Sequence, residues 1–159
     1  MRFYLPCTLV LLALTASGCA FSEPAPTELA LEPLVHDRRG CPGRTRGTAV
    51  LRDAGMLERW WTQVACRTGS PPVVDFDANV VVAIQDRPGP NGCYDARIAS
   101  IAPTPSGLEA RVWRRVPGPG ESCTMALVYP IDAVVVPRFT ETLTFTWQDV
   151  PGGEAPPSR

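Results

Sequence analysis

Five consecutive apolar residues, Val80 to Ile84, constrain the fold more than any other stretch of this chain. A strand with one face in water alternates apolar and polar residues, whereas this run has no polar position. The run is therefore predicted to be a central strand covered on both faces, and the rest of the domain must supply the two layers that cover it.

One covering layer is predicted to be a helix that precedes this strand. Thr48 to Arg52 is a candidate strand, and Asp53 can cap the helix by accepting a backbone N–H of its first turn. Four apolar residues then fall at i, i+3, i+4 and i+7 and share one helix face: Leu57, Trp60, Trp61 and Val64. At this spacing, packing of the tryptophans against a sheet is favoured over a ligand-stacking platform.

The other layer is predicted to consist of strands that follow Val80 to Ile84. The candidates are Tyr94 to Ile101, Leu108 to Val116, Met125 to Tyr129, Ile131 to Val136, and a last strand in which Leu143, Phe145 and Trp147 alternate with threonines. The fold class that follows is α+β: an antiparallel, β-dominated, sandwich-like domain with a single amphipathic helix near its N-terminus.

Alternation along Leu108 to Val116 predicts one buried face and one wet, basic face. The wet face carries Glu109, Arg111, Trp113 and Arg115. Arginines beside an aromatic residue can bind single-stranded nucleic acid. The formal net charge of the chain is -1, however, so a solvated sheet face is favoured and a nucleic-acid partner is not expected.

The N-terminus is typical of an export signal. Residues 1–18 have a positive start, an apolar stretch shorter than the roughly 20 residues of a spanning helix, and small residues before Cys19. The run from Leu14 to Cys19 resembles the lipobox of bacterial lipoproteins, which implies that Cys19 is lipidated and anchors the protein to the membrane. The predicted location is the bacterial cell envelope, with outer-membrane or surface display permitted.

Between the signal and the domain, residues 19–46 are predicted to be a lipidated tether, because Pro, Glu and Arg occur there with little periodicity. The only histidine, His36, lies in this segment and is expected to be solvated. Residues 47–148 are predicted to be the folded domain, and the Pro/Gly-rich residues 149–159 are predicted to be a disordered tail.

Export makes disulfides the expected state of the cysteines, and Cys7 leaves with the signal. Cys41, Cys66, Cys93 and Cys123 remain, and four cysteines allow three pairings. We favour Cys93 with Cys123, since both start a strand after a Pro/Gly loop, and Cys41 with Cys66; each bridge would contribute roughly 3 to 4 kcal/mol. No metal site is expected, because CxxC spacing is absent.

Two Pro/Gly-dense loops near Cys93 and Cys123 are the candidate binding residues, since recognition residues often lie on loops of a rigid scaffold. They are Pro88, Gly89, Pro90, Asn91, Gly92 and Tyr94 in the first loop, and Pro117, Gly118, Pro119 and Gly120 in the second. In the first loop, Gly92 and Tyr94 are expected to serve the turn and its packing, and residues 88–91 to be exposed.

From residue 47 to residue 147, three motifs in order resemble the C-terminal domain of the protease complex subunit PrcB family: PVVDFDANVVVAI, GPNGCYDARIASI and RRVPGPGESCTMALVYPIDAVVVPR. Gly92-Cys93-Tyr94 departs from the Gly-Gly-Tyr that is usual in that family. The resemblance implies an accessory or binding role in the bacterial envelope, with a secreted protease as one expected kind of partner.

An enzyme is not expected, because the sequence lacks GxSxG, HExxH and a phosphate loop, and no cofactor is implied. Asp75, Asp77 and Asn79 alternate like calcium ligands, but the Gly and Glu that an EF-hand loop needs are replaced by Val80 and Asp86. An alternative function is protease inhibition: Pro90, Gly92 and Tyr94 weakly resemble the Asn-Pro-Thr-Thr-Gly-Tyr loop of chagasin-like cysteine protease inhibitors.

The lipid anchor is directly testable. We expect labelled palmitate to be incorporated into the wild-type chain and to be lost from a Cys19→Ala variant, since acylation requires the thiol. Measurement of label in the purified, full chain checks this; wild type and variant that are equally unlabelled would contradict it.

Overall fold

The computed structural model describes residues 27–43 and 45–152. The predictions made for the signal segment 1–18, for Cys7, for Cys19 and for positions 153–159 fall outside the described residues.

One helix and seven strands make up the described chain. In order they are β1 (Glu32–Asp37), β2 (Gly47–Leu51), α1 (Ala54–Gln63), β3 (Asn79–Gln85), β4 (Asp95–Thr104), β5 (Gly107–Val116), β6 (Ile131–Pro137) and β7 (Leu143–Pro151). The first sheet has the order β1-β6-β3-β2, and the second has the order β4-β5-β7. The predicted α+β, strand-dominated sandwich with a single helix is confirmed.

The apolar run in β3 lies at the centre of the molecule, as its composition predicts. Val80, Val82 and Ile84 pack between the two sheets, and Val81 and Ala83 pack in the layer beneath α1; all five are completely buried. Both neighbours of β3 are antiparallel to it. Since a strand buried on both faces can hold few polar residues, this run fixes which strand is central.

Helix α1 is also as predicted. The Asp53 carboxylate accepts a hydrogen bond from the Met56 N–H at 2.7 Å, which caps the helix. Leu57 and Trp60 are buried against the first sheet, and Trp61 and Val64 pack around them. Cys41 is bonded to Cys66 just beyond the helix end, in the pairing that the sequence favours.

The folded domain extends beyond both predicted boundaries. β1 lies inside the predicted tether and pairs with β6, and the Leu29 N–H donates to the Ile101 carbonyl. A register shift between Pro33 and Val35 interrupts the alternation of β1, which explains why the segment lacks a strand-like period. At the other end β7 continues through Pro151, into the predicted tail.

The direction of β7 is a further finding. It runs parallel to β5, whereas the other paired strands are antiparallel. Parallel pairing needs a crossover, and β6 in the first sheet supplies it, because the chain passes from β5 through β6 to β7.

We expect a Trp60→Ala variant to lose about 3 to 5 kcal/mol of unfolding free energy, since it removes a large aromatic side chain from the layer between α1 and the first sheet. Urea denaturation followed by circular dichroism measures this. An Arg59→Ala variant changes the exposed face of the same helix and is the control; equal stability of the two variants would contradict the packing.

Candidate functional site

The candidate site is built from three chain segments beyond the ends of β1, β3 and β6. Gly89 and Val128 exchange two backbone hydrogen bonds of 2.9 and 3.0 Å, and the Gly92 N–H donates to the Thr124 carbonyl at 2.9 Å. The third segment joins at Tyr129, whose N–H donates to the Arg38 carbonyl at 2.7 Å. We call residues 87–93 and 121–130 the loop ribbon.

Two glycines allow the halves of the loop ribbon to approach so closely. A Cβ on Gly89 would lie 2.5 Å from the Tyr94 Cβ and 2.8 Å from Val128, and one on Gly92 would lie 2.0 Å from the Thr124 hydroxyl oxygen. Real Cβ contacts are never this short. Gly89 is buried and Asn91 is half-buried, which corrects the expectation that all of residues 88–91 are exposed. Pro88 and Pro90 are exposed, as expected.

The Cys93–Cys123 disulfide closes the loop ribbon, and the pairing is the one that the sequence favours. The Asn91 side chain accepts the Cys93 N–H at 3.1 Å, which forms a local turn next to the bridge. Together the two disulfides indicate an oxidising, exported environment. In the described part of the chain, no helix is long and apolar enough to cross a membrane.

The second predicted loop, residues 117–120, is attached to the first. Arg115 donates to the Cys93 carbonyl at 2.8 Å and forms an ion pair with Glu121, whose carboxylate also accepts the Gly118 N–H at 3.0 Å. The Gly118 N–H, and next the Arg115 guanidinium, lower the pKa of Glu121. The structure thus brings both predicted loops to one end of the sandwich.

The exposed face of the loop ribbon carries two large apolar side chains. Met125 is 97 % exposed and Leu127 is 67 % exposed, between the hydrogen-bonded positions Thr124 and Val128. The sequence predicts a strand from Met125 to Tyr129, and this is wrong: only Val128 and Tyr129 form isolated bridges. An apolar run therefore does not mark a buried strand here.

Beneath the loop ribbon lies a buried ionic network that joins the two sheets. Arg114 of β5 is 5 % exposed and donates to the Asp86 carboxylate at 2.6 Å. It also contacts both oxygens of Asp149 at 3.1 Å, and Arg46 holds the other oxygen of Asp86 at 3.0 Å. Burial alone would lower the pKa of Arg114, but Asp149 and Asp86 raise it, so the guanidinium remains charged.

A second polar cluster surrounds His36, which is exposed but has two carboxylate partners that the sequence did not predict. His36 Nδ1 lies 3.3 Å from Asp132 Oδ1, and Nε2 lies 3.1 Å from Asp95 Oδ2. Asp132 is completely buried, and its other oxygen accepts the Ile98 N–H of β4 at 2.8 Å. Hydrogen bonds to Asp132 and then to Asp95 raise the pKa of His36 to about 9, so the imidazole is a cation at neutral pH.

A sequence signal for these buried charges exists, although it is easily missed. Side chains two positions apart in a strand point to the same face of the sheet. Each of the three buried charges lies two positions from an apolar residue that packs between the sheets: Asp86 from Ile84, Arg114 from Val112, and Asp132 from Val134. A charged residue in phase with a buried strand face needs a buried partner. No comparable signal marks His36, because the register shift in β1 removes the phase.

Among the described residues, one group of three side chains could hold a metal ion: Cys93, Glu121 and Cys123. Both sulfur atoms belong to the disulfide, whereas a metal binds the thiolate form of cysteine. Glu121 is already engaged by Arg115 and by the Gly118 N–H. This cluster therefore fits a cross-linked loop and not a metal centre.

The chain matches no protein-family model, no curated protein and no solved structure. The geometry of the loop ribbon and of the two polar clusters is therefore the basis on which function is assigned.

The His36 cluster predicts how stability depends on pH. The pKa of His36 rises from about 6.5 in the unfolded chain to about 9 in the folded one, so its contribution is full below pH 6.5 and is lost as pH rises through 9. Because the side chain is 28 % exposed, we expect this loss to be only about 1 to 2 kcal/mol.

Urea denaturation at pH 6, 7.5 and 9.5 measures this effect, with His36→Gln as the control that cannot titrate. The gap in unfolding free energy between wild type and variant should narrow with rising pH; a constant gap would contradict the assignment.

Proposed function

We propose that this protein is a non-enzymatic accessory module of the bacterial envelope that binds a partner protein through the loop ribbon. The observation that carries the proposal is the pair of exposed apolar side chains, Met125 and Leu127, on a loop that is held at both ends. Exposed apolar residues on a fixed scaffold lose little conformational entropy when they are buried in a complex. Pre-organised loops of this kind suit recognition.

The charges around the pair indicate the chemistry of the partner. Arg38, Arg87 and Arg97 lie at this end of the sandwich, and none of the three forms an ion pair with a carboxylate within the described residues. Arg38 donates to the Gly92 carbonyl, which places its charge on the loop ribbon. A complementary partner would offer an apolar pocket rimmed by carboxylates.

The histidine cluster supports a binding role over catalysis. In the part of the chain that the structure describes, His36 contacts the carboxylates of Asp95 and Asp132 and the guanidinium of Arg97. A general base must have a free, neutral nitrogen at working pH, whereas both ring nitrogens here face acids that hold the protonated form. The cluster serves to join β1, β4 and β6.

Anchoring would leave the loop ribbon accessible. Leu29, close to the first described residue, bonds to Ile101 towards the end of β4, whereas the loop ribbon adjoins the beginning of β4 at Asp95. A lipid on Cys19 would therefore attach at the end away from the binding surface. The resemblance to the PrcB C-terminal domain supports the same role and makes a secreted protease a reasonable partner to test.

Protease inhibition is the second candidate, because two loops meet at one end of the sandwich as they do in chagasin-like inhibitors. The Arg115 to Cys93 contact and the disulfide hold residues 88–92 and 117–120 together. Inhibition of a panel of cysteine proteases by the purified chain would favour this function, and loop residues Pro90 and Gly92 would then be expected at the interface.

A double variant, Met125→Ser with Leu127→Ser, tests the proposed surface. We expect it to lose about tenfold or more in recovery of an envelope partner by affinity capture, since interface anchors typically contribute more than 1 kcal/mol each. Mass spectrometry of the captured proteins measures this.

Val73→Ser is the matched control, since Val73 is a fully exposed apolar residue away from the loop ribbon. All variants should melt like wild type. A partner retained equally by the double variant and the control would place the binding surface elsewhere.

A further inference from the structure

Within the described part of the chain, the outer edge of β7 is a free strand edge. β7 is nine residues long, it pairs with β5 without a register shift, and no other described strand pairs with it. From Leu143 to Gln148 it contains no charged residue and no proline. Such an edge presents a row of free backbone N–H and C=O groups that can pair with another strand.

The other three sheet edges carry protection that residues 143–150 of β7 lack. β1 contains Pro33 and a register shift, and β2 has only five residues. β4 contains a register shift after Ile98, and its edge is covered where Ile98 donates to Asp132 and Ile101 accepts from Leu29. Prolines, bulges, short strands and coverage are the usual devices against edge pairing. β7 has one of them, Pro151 at its last position, so the open part of its edge is residues 143–150.

The hydrogen bonds to β5 show which backbone groups of β7 point outwards. The Leu108 N–H donates to the Thr142 carbonyl, and the Gly152 N–H donates to the Val116 carbonyl. Residues in a strand alternate the side to which their N–H and C=O point, so even-numbered positions face β5. Leu143, Phe145, Trp147 and Asp149 therefore offer their backbone groups to the free edge.

We propose that β7 is a self-association surface, at which it pairs antiparallel with β7 of a second copy of this chain about a two-fold axis at Thr146. This register places Phe145 opposite Trp147 of the second copy and Leu143 opposite its Asp149. All of these positions have outward-facing backbone groups, so each is a hydrogen-bonded pair. Thr146 of one chain then lies opposite Thr146 of the second chain in a non-hydrogen-bonded pair, with the two Cα atoms about 4.5 Å apart.

The edge suits a second copy better than a foreign strand. Residues 143–148 carry no charge of their own, and Asp149 is held by Arg114. The Arg46 guanidinium lies over the Trp147 ring at 4.1 Å, but it is paired with Asp86, so like-charge repulsion between two copies is small. The two-fold axis brings aromatic residues together twice, and aromatic cross-strand pairs stabilise sheets. An isologous contact of this kind also closes on itself and leaves no further edge for growth.

A single strand pair is small beside the roughly 1,600 Å² of a standard stable interface, so the dimer is expected to be weak and concentration-dependent. This surface is distinct from the loop ribbon, and its failure would leave the proposed function untouched.

Cysteine cross-linking tests the register. In the mature chain with Cys19→Ala, Thr146→Cys should form a covalent dimer under mild oxidation, because a non-hydrogen-bonded antiparallel pair has the Cα separation of a disulfide. Thr144→Cys is the matched control: Thr144 is also an exposed residue on the same face, but in this register it faces Gln148 of the second copy. We expect Thr146→Cys to cross-link about tenfold faster or more.

Non-reducing electrophoresis measures the rates, and sedimentation equilibrium of the chain with wild-type Thr146 provides the second measurement. Its mass should rise towards that of two chains with concentration. Equal cross-linking of the two cysteine variants, no cross-linking of Thr146→Cys, or the mass of one chain at every concentration would each overturn the proposal.

Discussion

The buried ion pair between Asp86 and Arg114 is the interaction on which the arrangement of the two sheets depends at the end that carries the loop ribbon. Asp86 follows β3, one of the two inner strands of the first sheet, and Arg114 belongs to β5, the central strand of the second. Removing one partner of a buried ion pair costs about 3 to 5 kcal/mol. Arg46 and Asp149 extend the pair on either side, so the whole network opposes separation of the two strands. The loop ribbon begins at the next residue, Arg87, and its position is therefore fixed by this pair.

The same end of the molecule is held by a second set of polar contacts of a different kind. Asp132 contacts both the His36 imidazole of β1 and the Ile98 N–H of β4, so one carboxylate joins three strands. Apolar packing therefore stabilises the middle of the sandwich, and ionic contacts stabilise this end of it. The ionic contacts therefore restrain the loops that leave this end, in addition to stabilising the fold.

The features that could be predicted from sequence are those with a strong local cause. The apolar run in β3, the Asp53 cap and the i, i+3, i+4 face of α1 each depend on neighbouring residues, and all three are confirmed. The pairing of Cys93 with Cys123 also followed from local position. β1 could not be predicted, because its register shift removes the alternation that identifies a strand. Since His36 lies in β1, its contacts could not be predicted either.

Met125 and Leu127 show why the candidate site was harder to predict than the fold. Hydrophobicity indicated burial, and only the hydrogen bonds of Gly89 and Gly92 to distant residues determine that the run is turned outwards. Single exposed apolar residues such as Val73 are ordinary on protein surfaces. Met125 and Leu127 differ from isolated residues of this kind, because their loop is fixed by a disulfide, two backbone contacts and two glycines. These constraints do not contribute to the packing of the core. The constraints stabilise the presentation of the apolar pair, which is the property that a binding surface requires.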